Sequence, residues 1–500
     1  MGEARLLSRI EQTRLAVSRT ADAKKRAKLG QFFTPASIAR FMAGLFDGCG
    51  QKECRLLDAG AGIGSLSAAF LDRFSKGELG FTHVEATAFE LDTDLLPHLS
   101  ETLDGFAESH SVEVNIQQGD FIEIAADGLS DDLFSQKPKL YTHAILNPPY
   151  KKIRSNSEHR AALRRAGIET VNLYSAFVAL ALSLLENHGQ LVAIIPRSFC
   201  NGPYYRPFRD HVLDCAAIRR IHLFESRNKA FKDDDVLQEN IIIKLERGAK
   251  QGSVTISTST DDSFADLKCH DYPFSSIVLP DDPERFIHVP TSPGDSPIEQ
   301  AAAVHCKLAE IGIAISTGPV VDFRLKEHLR KMPEPGTVPL LYPGHFDGKG
   351  LDWPKPGFKK PNAILRNPDT ERWLYPNGSY CVVRRFSAKE EKRRVVAMVV
   401  DSSAFPETPR LGFENHLNVF HENKRGLPLS LAHGLAVYLN STGVDDYFRR
   451  FNGHTQVNAT DLRLLNYPSR EALVSLGAWA MKTETLTQEM IDQKIGSLTE

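Results

Sequence analysis

The sequence of 500 residues lacks the features that mark membrane, disulfide-rich and strongly basic proteins. No run approaches the roughly 18 uninterrupted apolar residues that a membrane-spanning helix needs. Met1 to Thr20 is charged throughout and has no apolar signal-peptide core. Seven cysteines, an odd number without zinc-ligand spacing, predict reduced thiols in a cytosolic protein without a metal site. The net charge of −3 excludes binding of nucleic acid through overall charge.

Positive charge occurs instead in local clusters. One of them contains Lys151, Lys152 and Arg154 and begins directly after Tyr150. We therefore expect it to lie beside any pocket that Tyr150 helps to form. A second cluster, around Arg384, is interleaved with acidic residues and is typical of a solvated surface.

Strand and helix signals alternate through the first half of the chain, which predicts a doubly wound α/β sheet. The predicted strands are Arg55–Ala59, Ala86–Glu90, Val112–Gln117, Ala144–Leu146, Leu191–Ile195, Ile218–Leu223 and Ile241–Leu245. The clearest helix is Leu173–Glu186, whose apolar residues recur at helical spacing. Because only a short link joins the last two strands, we expect a seven-stranded sheet that ends in an antiparallel hairpin.

The composition changes near residue 250. Prolines and polar loops become frequent, which favours a separate, mixed α+β domain that ends in a helix. We therefore predict one domain over residues 1–250, with residues 1–30 as a helical extension, and a second domain over residues 251–500.

The most informative motif is Asn147-Pro148-Pro149-Tyr150, directly behind the apolar run Ala144–Leu146. The prolines end the strand because proline fixes φ and cannot donate to a ladder. An amide side chain, main-chain carbonyl oxygens and an aromatic ring are then left at the strand's carboxyl end. Two such oxygens can accept both hydrogens of an exocyclic amino group while the ring stacks on the planar system that bears it. A plain proline turn is the alternative.

A glycine loop follows the first predicted strand. Glycines allow positive φ and let the backbone approach a ligand closely. The spacing differs from the Gly-x-Gly-x-x-Gly loop of dinucleotide-binding proteins, and an acidic residue at the strand end would disfavour a pyrophosphate. The loop therefore predicts another nucleotide-like cofactor, with the candidate contacts Asp58, Ala59, Gly60, Gly62 and Gly64.

Two more strands end in residues that suit such a cofactor. Glu90, followed by Leu91, ends the second strand, and its carboxylate can accept both hydroxyls of a ribose. Asp120 and Phe121 follow the third strand, where a carboxylate and a ring would meet an adenine amino group and its face. Ligands of open α/β sheets bind at these strand ends.

A short segment before the sheet contains Gln31, Phe33, Thr34 and Pro35. Thr34 is predicted to be a helix N-cap, with Pro35 at the first helical position. Capping does not explain the aromatic residues, which could cover the other end of the cofactor. We expect Gln31, Phe33 and Thr34 to contact the cofactor there.

These motifs together resemble the gamma group of DNA adenine-N6 methyltransferases. The motifs that carry the resemblance are Gln31–Pro35, Asp58–Gly64, Glu90, Asp120, Asn147–Tyr150, Asn172–Phe177 and Ile194–Phe199. The resemblance implies a Rossmann-like sheet, S-adenosyl-L-methionine (AdoMet) as the cofactor, double-stranded DNA as the substrate and a C-terminal target-recognition domain. A looser similarity places the closing segment of that domain at residues 453–458.

The resemblance also implies roles for single residues. Asn147 and the Pro148 carbonyl would accept the target amine, and Tyr150 would stack on the base, while the acidic residues of the second and third strands would hold AdoMet. The family places a second aromatic residue after the sixth strand, for which Phe231 is our choice and Phe224 the fallback.

The recognition domain should read the DNA sequence. Thr455, Gln456 and Asn458 are candidates because hydroxyl and amide groups suit base edges, although turn chemistry explains them equally. The cluster that begins at Lys151 would meet phosphates. A restriction–modification role would add a separate cognate endonuclease and a cytoplasmic, nucleoid-associated location in a bacterium.

Two alternatives remain open from the sequence. The same chemistry serves methyltransferases that act on RNA adenine or on protein glutamine, usually without so large a C-terminal domain. A nucleic-acid-binding module with an inert methyltransferase half is the second alternative.

Overall fold

The chain forms two compact units, Met1–Thr291 and Ser292–Glu500. The computed structural model describes residues 3–20, 25, 29–48, 52–107, 111–130, 138–225, 239–290, 304–346, 350–387, 391–452 and 455–498. Among these residues, no helix combines the length and the apolar character that crossing a membrane requires.

The first unit alternates strands and helices. Its strands are β1 (Glu53–Ala59), β2 (His83–Glu90), β3 (Val112–Gln118), β4 (Tyr141–Leu146), β5 (Leu185–Pro196), β6 (Ala216–Phe224), β7 (Asn240–Arg247), β8 (Val254–Ser259) and β9 (Lys268–Tyr272). Its helices are α1 (Glu3–Thr20), α2 (Ala36–Gly44), α3 (Ser65–Ser75), α4 (Leu96–Ala107), α5 (Phe121–Leu129), α6 (Glu158–Arg165), α7 (Leu173–Ser183), α8 (Arg206–Cys215) and α9 (Phe274–Ile277).

One nine-stranded sheet contains all these strands, in the order β3-β2-β1-β4-β5-β7-β6-β8-β9. The strands β1 to β5 are parallel, and β7 lies antiparallel between β5 and β6. All seven predicted strands are present. The expected strand number and domain boundary were wrong, because β8 and β9 extend the sheet beyond residue 250. Their short, polar segments lack the long apolar run of a central strand, so the composition suggested a new domain too early.

The helix predicted at Leu173–Glu186 ends at Ser183, and β5 already begins at Leu185. The residues Leu180 to Leu185 are almost all apolar and buried. Periodicity cannot separate helix from strand in such a run. The paired strand decides it, since Tyr141 at the start of β4 lies opposite Leu185.

Side chains of the central strands alternate between two cores, as the pleat of a β-strand requires. Ala144 and Leu146 of β4 pack with α7 on one face of the sheet, whereas Ile145 packs with α2 and α3 on the other. Both faces are therefore covered by helices, and ligands can reach the sheet only at its edges or strand ends.

The second unit is a mixed α+β structure. Its strands are β10 (Val304–Cys306), β11 (Ala314–Thr317), β12 (Leu329–Arg330), β13 (Thr337–Leu341), β14 (Ala363–Leu365), β15 (Leu374–Pro376), β16 (Tyr380–Arg384), β17 (Ala397–Val400), β18 (Arg410–Phe413), β19 (Leu417–His421) and β20 (Tyr467–Pro468). Its helices are α10 (Leu429–Leu439), α11 (Thr442–Phe451), α12 (Ala459–Leu464), α13 (Arg470–Met481) and α14 (Gln488–Gly496). The larger sheets have four strands (β11-β19-β16-β17) and five strands (β12-β14-β13-β18-β15).

Two glycines bring α10 and α13 into close contact. A Cβ atom on Gly434 would lie 1.8 Å from the Leu473 carbonyl oxygen, and one on Gly477 would lie 1.7 Å from the Ser430 carbonyl oxygen. These distances are far inside van der Waals contact, so the two helix backbones can approach only because both residues lack side chains.

We predict that Gly434→Ala destabilises the protein by about 1–3 kcal/mol or more, because the added methyl group overpacks a helix interface whose obstacle is backbone. Gly496→Ala, at the end of α14, is the control, since a Cβ atom there has no neighbour within 4 Å. Urea unfolding of both variants measures the difference. Equal midpoints would show that α10 and α13 do not pack in this way.

Candidate active site

A cavity of about 180 Å³ lies at the carboxyl ends of β1 to β4. Its lining comes from the segment before α2, from the loops after these four strands and from α6 and α7. The predicted residues that line it are Gln31, Phe33, Gly60, Gly62, Glu90, Leu91, Asp120, Phe121, Asn147, Pro149 and Lys151. The fold therefore brings motifs from a stretch of more than a hundred residues to one place.

The glycine loop forms one wall of this cavity with its backbone. Gly60 and Gly62 have φ values of +76° and +59°, which side chains rarely adopt. The Gly60 and Ala61 amides donate to the Phe89 carbonyl oxygen at 2.9 and 2.8 Å, which ties the loop to β2. A Cβ atom on Gly62 would contact the Phe33 ring at 3.7 Å. The loop is rigid and open enough for a ligand to lie against its backbone.

Glu90 ends β2 with its carboxylate almost buried. Its Oε2 accepts from the Gly62 amide at 2.7 Å, and its Oε1 accepts from the Asp92 amide at 2.7 Å. Burial raises the pKa of Glu90, and these two backbone donors act against that rise. Each carboxylate oxygen has two lone pairs, so both keep capacity for donors in the cavity.

Asp92 attaches the segment before α2 to this strand end. Gln31 Nε2 donates to Asp92 Oδ2 at 3.2 Å, and Lys25 Nζ donates to Asp92 Oδ1 at 2.6 Å. The Gln31 side chain is therefore anchored next to Glu90.

Asp120 has two structural partners beside the cavity. It is the N-cap of α5, where Oδ1 accepts from the Ile122 amide at 2.9 Å, and its Oδ2 lies 2.7 Å from His159 Nε2. Burial would raise the pKa of Asp120, but the hydrogen bond and charge of His159 hold it below the ordinary value. The same hydrogen bond raises the pKa of His159. His159 thus faces a carboxylate at the rim of the cavity.

Aromatic and aliphatic side chains form the remaining wall. The Phe121 ring lies 5.2 Å from the Phe89 ring and 5.1 Å from the Phe177 ring. Leu91 is 51% exposed, which is unusual for a large apolar side chain next to a strand end. This wall suits a flat, partly apolar ligand group.

Asn147 follows β4 and its amide group has a defined orientation. Nδ2 donates to the Phe32 carbonyl oxygen at 3.0 Å and to Thr34 Oγ1 at 2.9 Å. Oδ1 accepts from the Tyr150 hydroxyl at 3.2 Å, and this hydroxyl also lies 3.2 Å from the Ile194 carbonyl oxygen. Because a carbonyl oxygen has two lone pairs, Oδ1 can accept one more hydrogen.

Thr34 does not cap a helix, contrary to the prediction. The N-cap of α2 is Pro35, and the Ala36 amide donates instead to Glu11 Oε2 at 3.0 Å. The Thr34 side chain is buried and its hydroxyl accepts from Asn147, outside the lining of the cavity. Asn147, which is far away in the sequence, bonds to this hydroxyl in place of a helix end, and no local sequence pattern reveals that contact.

Asp58 is not among the residues that line the cavity, and its predicted direct contact with the cofactor stays a prediction. Within the described residues, its buried Oδ1 has no hydrogen-bond partner. Its side chain is fully buried, and its Oδ2 accepts from the Ser67 hydroxyl at 2.6 Å and from the Ser67 amide at 3.2 Å. Burial raises the pKa of Asp58 to about 7, against these hydrogen bonds. Asp58 fixes the start of α3 against β1 and thereby shapes the loop. Ala59 is buried in the core, and Gly64, with a φ of +84°, is the N-cap of α3.

The predicted second aromatic residue is not located by the structure. Phe231 lies outside the described residues. The fallback Phe224 is buried and packs edge-on against His222, with ring centroids 4.8 Å apart. This burial in the core argues against Phe224 as a stacking residue.

Lys152 and Arg154 are exposed after the proline motif, and Lys151 lines the cavity. Lys152 pairs through its backbone with Asn172, which fixes the direction of the basic segment as it leaves the site. These positive charges therefore begin at the mouth of the cavity, as the sequence predicted.

The candidate residues of the second unit differ among themselves. Thr455 is exposed, and Gln456 Oε1 accepts from Arg385 at 3.3 Å. Asn458 is the N-cap of α12 and forms a reciprocal capping box with Asp461. Asn458 therefore has the local structural role that the sequence analysis gave as the alternative to base contact.

Sequence reasoning missed several lining residues, including His159, Phe89 and Phe177. They belong to α6, β2 and α7, where their sequence pattern matches that of ordinary helix and strand residues. Within the described part of the chain, Asp120, Glu123 and His159 form a group with the geometry to ligate a metal ion. The hydrogen bond between Asp120 and His159 accounts for their proximity, and we assign no ion to them.

We predict that Asp120→Asn lowers the pKa of His159, because it removes the charge but keeps an N-cap acceptor. In the wild type, protonated His159 stabilises the fold at low pH, and that contribution disappears as the pH rises through its raised pKa. NMR titration of the imidazole measures the change. Asp127→Asn, an exposed residue of the same helix, is the control. An unchanged titration in Asp120→Asn would show that the pair does not form.

Comparison with known proteins identifies the family. A family model described as Eco57I restriction-modification methylase matches residues 36–231. The chain is 54% identical over 496 residues to the type II methyltransferase M.BsuBI of Bacillus subtilis, covering 99% of this chain and 98% of that protein. It is 42% identical over 500 residues to the type II methyltransferase M.PstI of Providencia stuartii, covering 97% and 96% respectively.

A solved structure supports the fold. The cryo-EM structure of a DrdV–DNA complex is 13% identical, has a TM-score of 0.51 and covers 93% of this chain and 58% of that chain. The relatives and the family model confirm the predicted methyltransferase fold and cofactor. The chain belongs to the type II methyltransferases of restriction–modification systems, which use S-adenosyl-L-methionine to methylate DNA at specific sites.

Proposed function

We propose that this enzyme methylates N6 of an adenine that is rotated out of duplex DNA into a pocket formed by Asn147–Tyr150. The observation that carries the proposal is the orientation of the Asn147 amide. Its nitrogen donates to the Phe32 carbonyl oxygen and to the Thr34 hydroxyl, while its oxygen can accept one more hydrogen. A neutral acceptor at a strand end, next to a phenol ring, suits an exocyclic amine on a flat base.

The residues around the cavity fit AdoMet. The backbone of Gly60 and Gly62 leaves room for close approach, and their positive φ excludes side chains there without strain. In our proposal Glu90 accepts the ribose hydroxyls, Asp120 accepts the adenine amino group, and Phe121 covers the adenine face. The segment Gln31–Phe33 then covers the methionine end. When bound, AdoMet supplies an electrophilic methyl group on a sulfonium centre.

The chain's own residues prepare the target amine. Asn147 Oδ1 and the Pro148 carbonyl oxygen each accept one N6 hydrogen, which draws the nitrogen toward tetrahedral geometry and localises its lone pair. The amide is suited to this because it stays neutral. An ionised side chain in the same place would bring an unpaired charge into a largely apolar site. After transfer the cationic amine loses a proton readily, so the chain needs no strong base.

Aromatic stacking offsets the cost of rotating the base out of the duplex. Unstacking and unpairing cost a few kcal/mol, and stacking on an aromatic ring returns about 1–3 kcal/mol per base. The Tyr150 ring lies 5.2 Å from the Phe32 ring and is held by its hydroxyl. We propose that Tyr150 contacts one face of the base and Phe231 the other.

The first alternative is that the enzyme methylates adenine in RNA or glutamine in a protein. These substrates undergo the same chemistry and differ in the molecule that carries the amino group. A tritium-transfer assay that offers duplex DNA, RNA and protein to the enzyme separates them. The inert-module alternative predicts that AdoMet does not bind, which calorimetric titration with AdoMet alone measures. The near full-length likeness to the two type II methyltransferases favours DNA.

Asn147→Ala should lower the rate of methyl transfer by about two orders of magnitude or more, because the target amine loses its neutral acceptor. AdoMet binding should survive, since the carboxylates and the glycine loop remain. Asn115→Ala on β3, away from the strand end, is the matched control. The assay is single-turnover transfer to a duplex at saturating AdoMet. Substantial retained transfer in Asn147→Ala would remove the central role proposed here.

DNA contact is proposed for the basic segment after the pocket and for the second unit. Lys151, Lys152 and Arg154 would neutralise phosphates next to the target base, which gives affinity without sequence choice. Thr455 and Gln456 would present a hydroxyl and an amide to base edges. Asn458 is excluded from this group because its side chain serves α12.

The double variant Lys152→Ala/Arg154→Ala should weaken the salt dependence of DNA binding. The slope of log affinity against log salt should fall by about 0.9 for each lost phosphate contact. Lys139→Ala at the other end of β4 is the control, because Lys139 pairs with Glu85 there. Fluorescence anisotropy with a labelled duplex over a salt series measures the slopes. Equal slopes in the double variant and the wild type would remove these residues from the interface.

The biological setting of the activity follows from the family. We propose that the enzyme acts in the bacterial cytoplasm, on nucleoid DNA, and protects it from a cognate restriction endonuclease that is a separate protein.

A further inference from the structure

The segment Gly30–Thr34 lies between the glycine loop and the Asn147–Tyr150 motif and contacts both. The even-numbered residues contact the motif. The Gly30 carbonyl oxygen accepts from the Tyr150 amide at 3.2 Å, and the Phe32 carbonyl oxygen and Thr34 Oγ1 accept from Asn147 Nδ2 at 3.0 and 2.9 Å.

The odd-numbered residues contact the cofactor side. Gln31 donates to Asp92, and the Phe33 ring lies against Gly62. We call residues 30–34 the bridging segment, because it touches the cofactor cavity with one side and the proposed target pocket with the other.

The two ends of an asparagine amide have nearly the same shape, so neighbouring hydrogen-bond partners decide which end points where. The Phe32 carbonyl oxygen can only accept, and it therefore requires the nitrogen of Asn147 on its side. Thr34 Oγ1 takes the second hydrogen of the same nitrogen. If the amide turned by 180°, Oδ1 would face the Phe32 oxygen and the NH2 group would point at the target amine, a donor against a donor.

We propose that Thr34, together with the Phe32 carbonyl, is a positioning residue for catalysis that holds the Asn147 amide with its oxygen toward the target amine. This inference rests on the proposed function of Asn147. It gives Thr34 a role that differs from the helix cap and from the cofactor contact that the sequence suggested. Burial of Thr34 keeps water from replacing its hydroxyl.

The proposal separates the two sides of the bridging segment by their kinetic effects. Loss of the Thr34 hydroxyl should change the rate of the chemical step and leave AdoMet affinity nearly unchanged. Loss of the Gln31 amide should instead weaken AdoMet binding, because Gln31 donates to Asp92 beside Glu90. A purely structural role for Thr34 would move both quantities together.

The experiment compares Thr34→Val with Thr34→Ser in the full-length chain. Valine keeps the volume and loses the hydroxyl, whereas serine keeps the hydroxyl and loses a methyl group. We expect Thr34→Val to slow single-turnover transfer by about 10- to 100-fold, with the AdoMet dissociation constant within about threefold of wild type. Thr34→Ser should retain most of the rate, and Gln31→Ala should weaken AdoMet binding.

Wild-type transfer by Thr34→Val would overturn the proposal, and so would a Thr34→Ser variant as slow as Thr34→Val. If Thr34→Val melts well below the wild type, Thr34→Ala replaces it, and its rate is compared with that of Thr34→Ser, because both lack the methyl group. Failure of the proposed function has a different signature, namely Asn147→Ala as active as the wild type. The Asn147→Ala/Thr34→Val double variant should be no slower than Asn147→Ala alone.

Discussion

The hydrogen bonds that fix the Asn147 amide are the interaction on which the rest of the site depends. An asparagine side chain becomes a directed acceptor only when something holds its nitrogen, and here a main-chain carbonyl and a threonine hydroxyl do so from a segment more than a hundred residues earlier in the chain. Tyr150 contacts the same amide through its hydroxyl. Asn147, the Tyr150 ring and the segment Gly30–Thr34 are thereby one connected unit.

The sheet provides the frame for this arrangement. Four parallel strands, β3-β2-β1-β4, end at one edge and bring Asp120, Glu90, the glycine loop and Asn147 into line. Helices on both faces close the sheet, so the strand ends are where a ligand can meet main-chain groups. In the proposed function, the same order would put the cofactor beside the target amine, as direct transfer of a methyl group requires.

Much of this could be predicted from the sequence, because strand ends and their motifs are local features. The seven central strands, the glycine loop, Glu90, Asp120 and the proline motif all lie where their patterns indicated. The errors have a common physical origin in contacts between distant residues. Thr34 was assigned to a cap because its neighbour Pro35 suits one, yet its hydroxyl bonds to Asn147. His159 carries no sequence signal, since only the packing of α5 against α6 brings it to Asp120.

The most direct test of the central claim is modification-sensitive sequencing of DNA from a methylation-free bacterial host that expresses this chain. The account predicts N6-methyladenine at one adenine in nearly every copy of a single short sequence, and no such mark in the same host expressing Asn147→Ala. A mark on another base, or the same mark in the Asn147→Ala strain, would contradict the assignment of Asn147 as the acceptor of an adenine amino group.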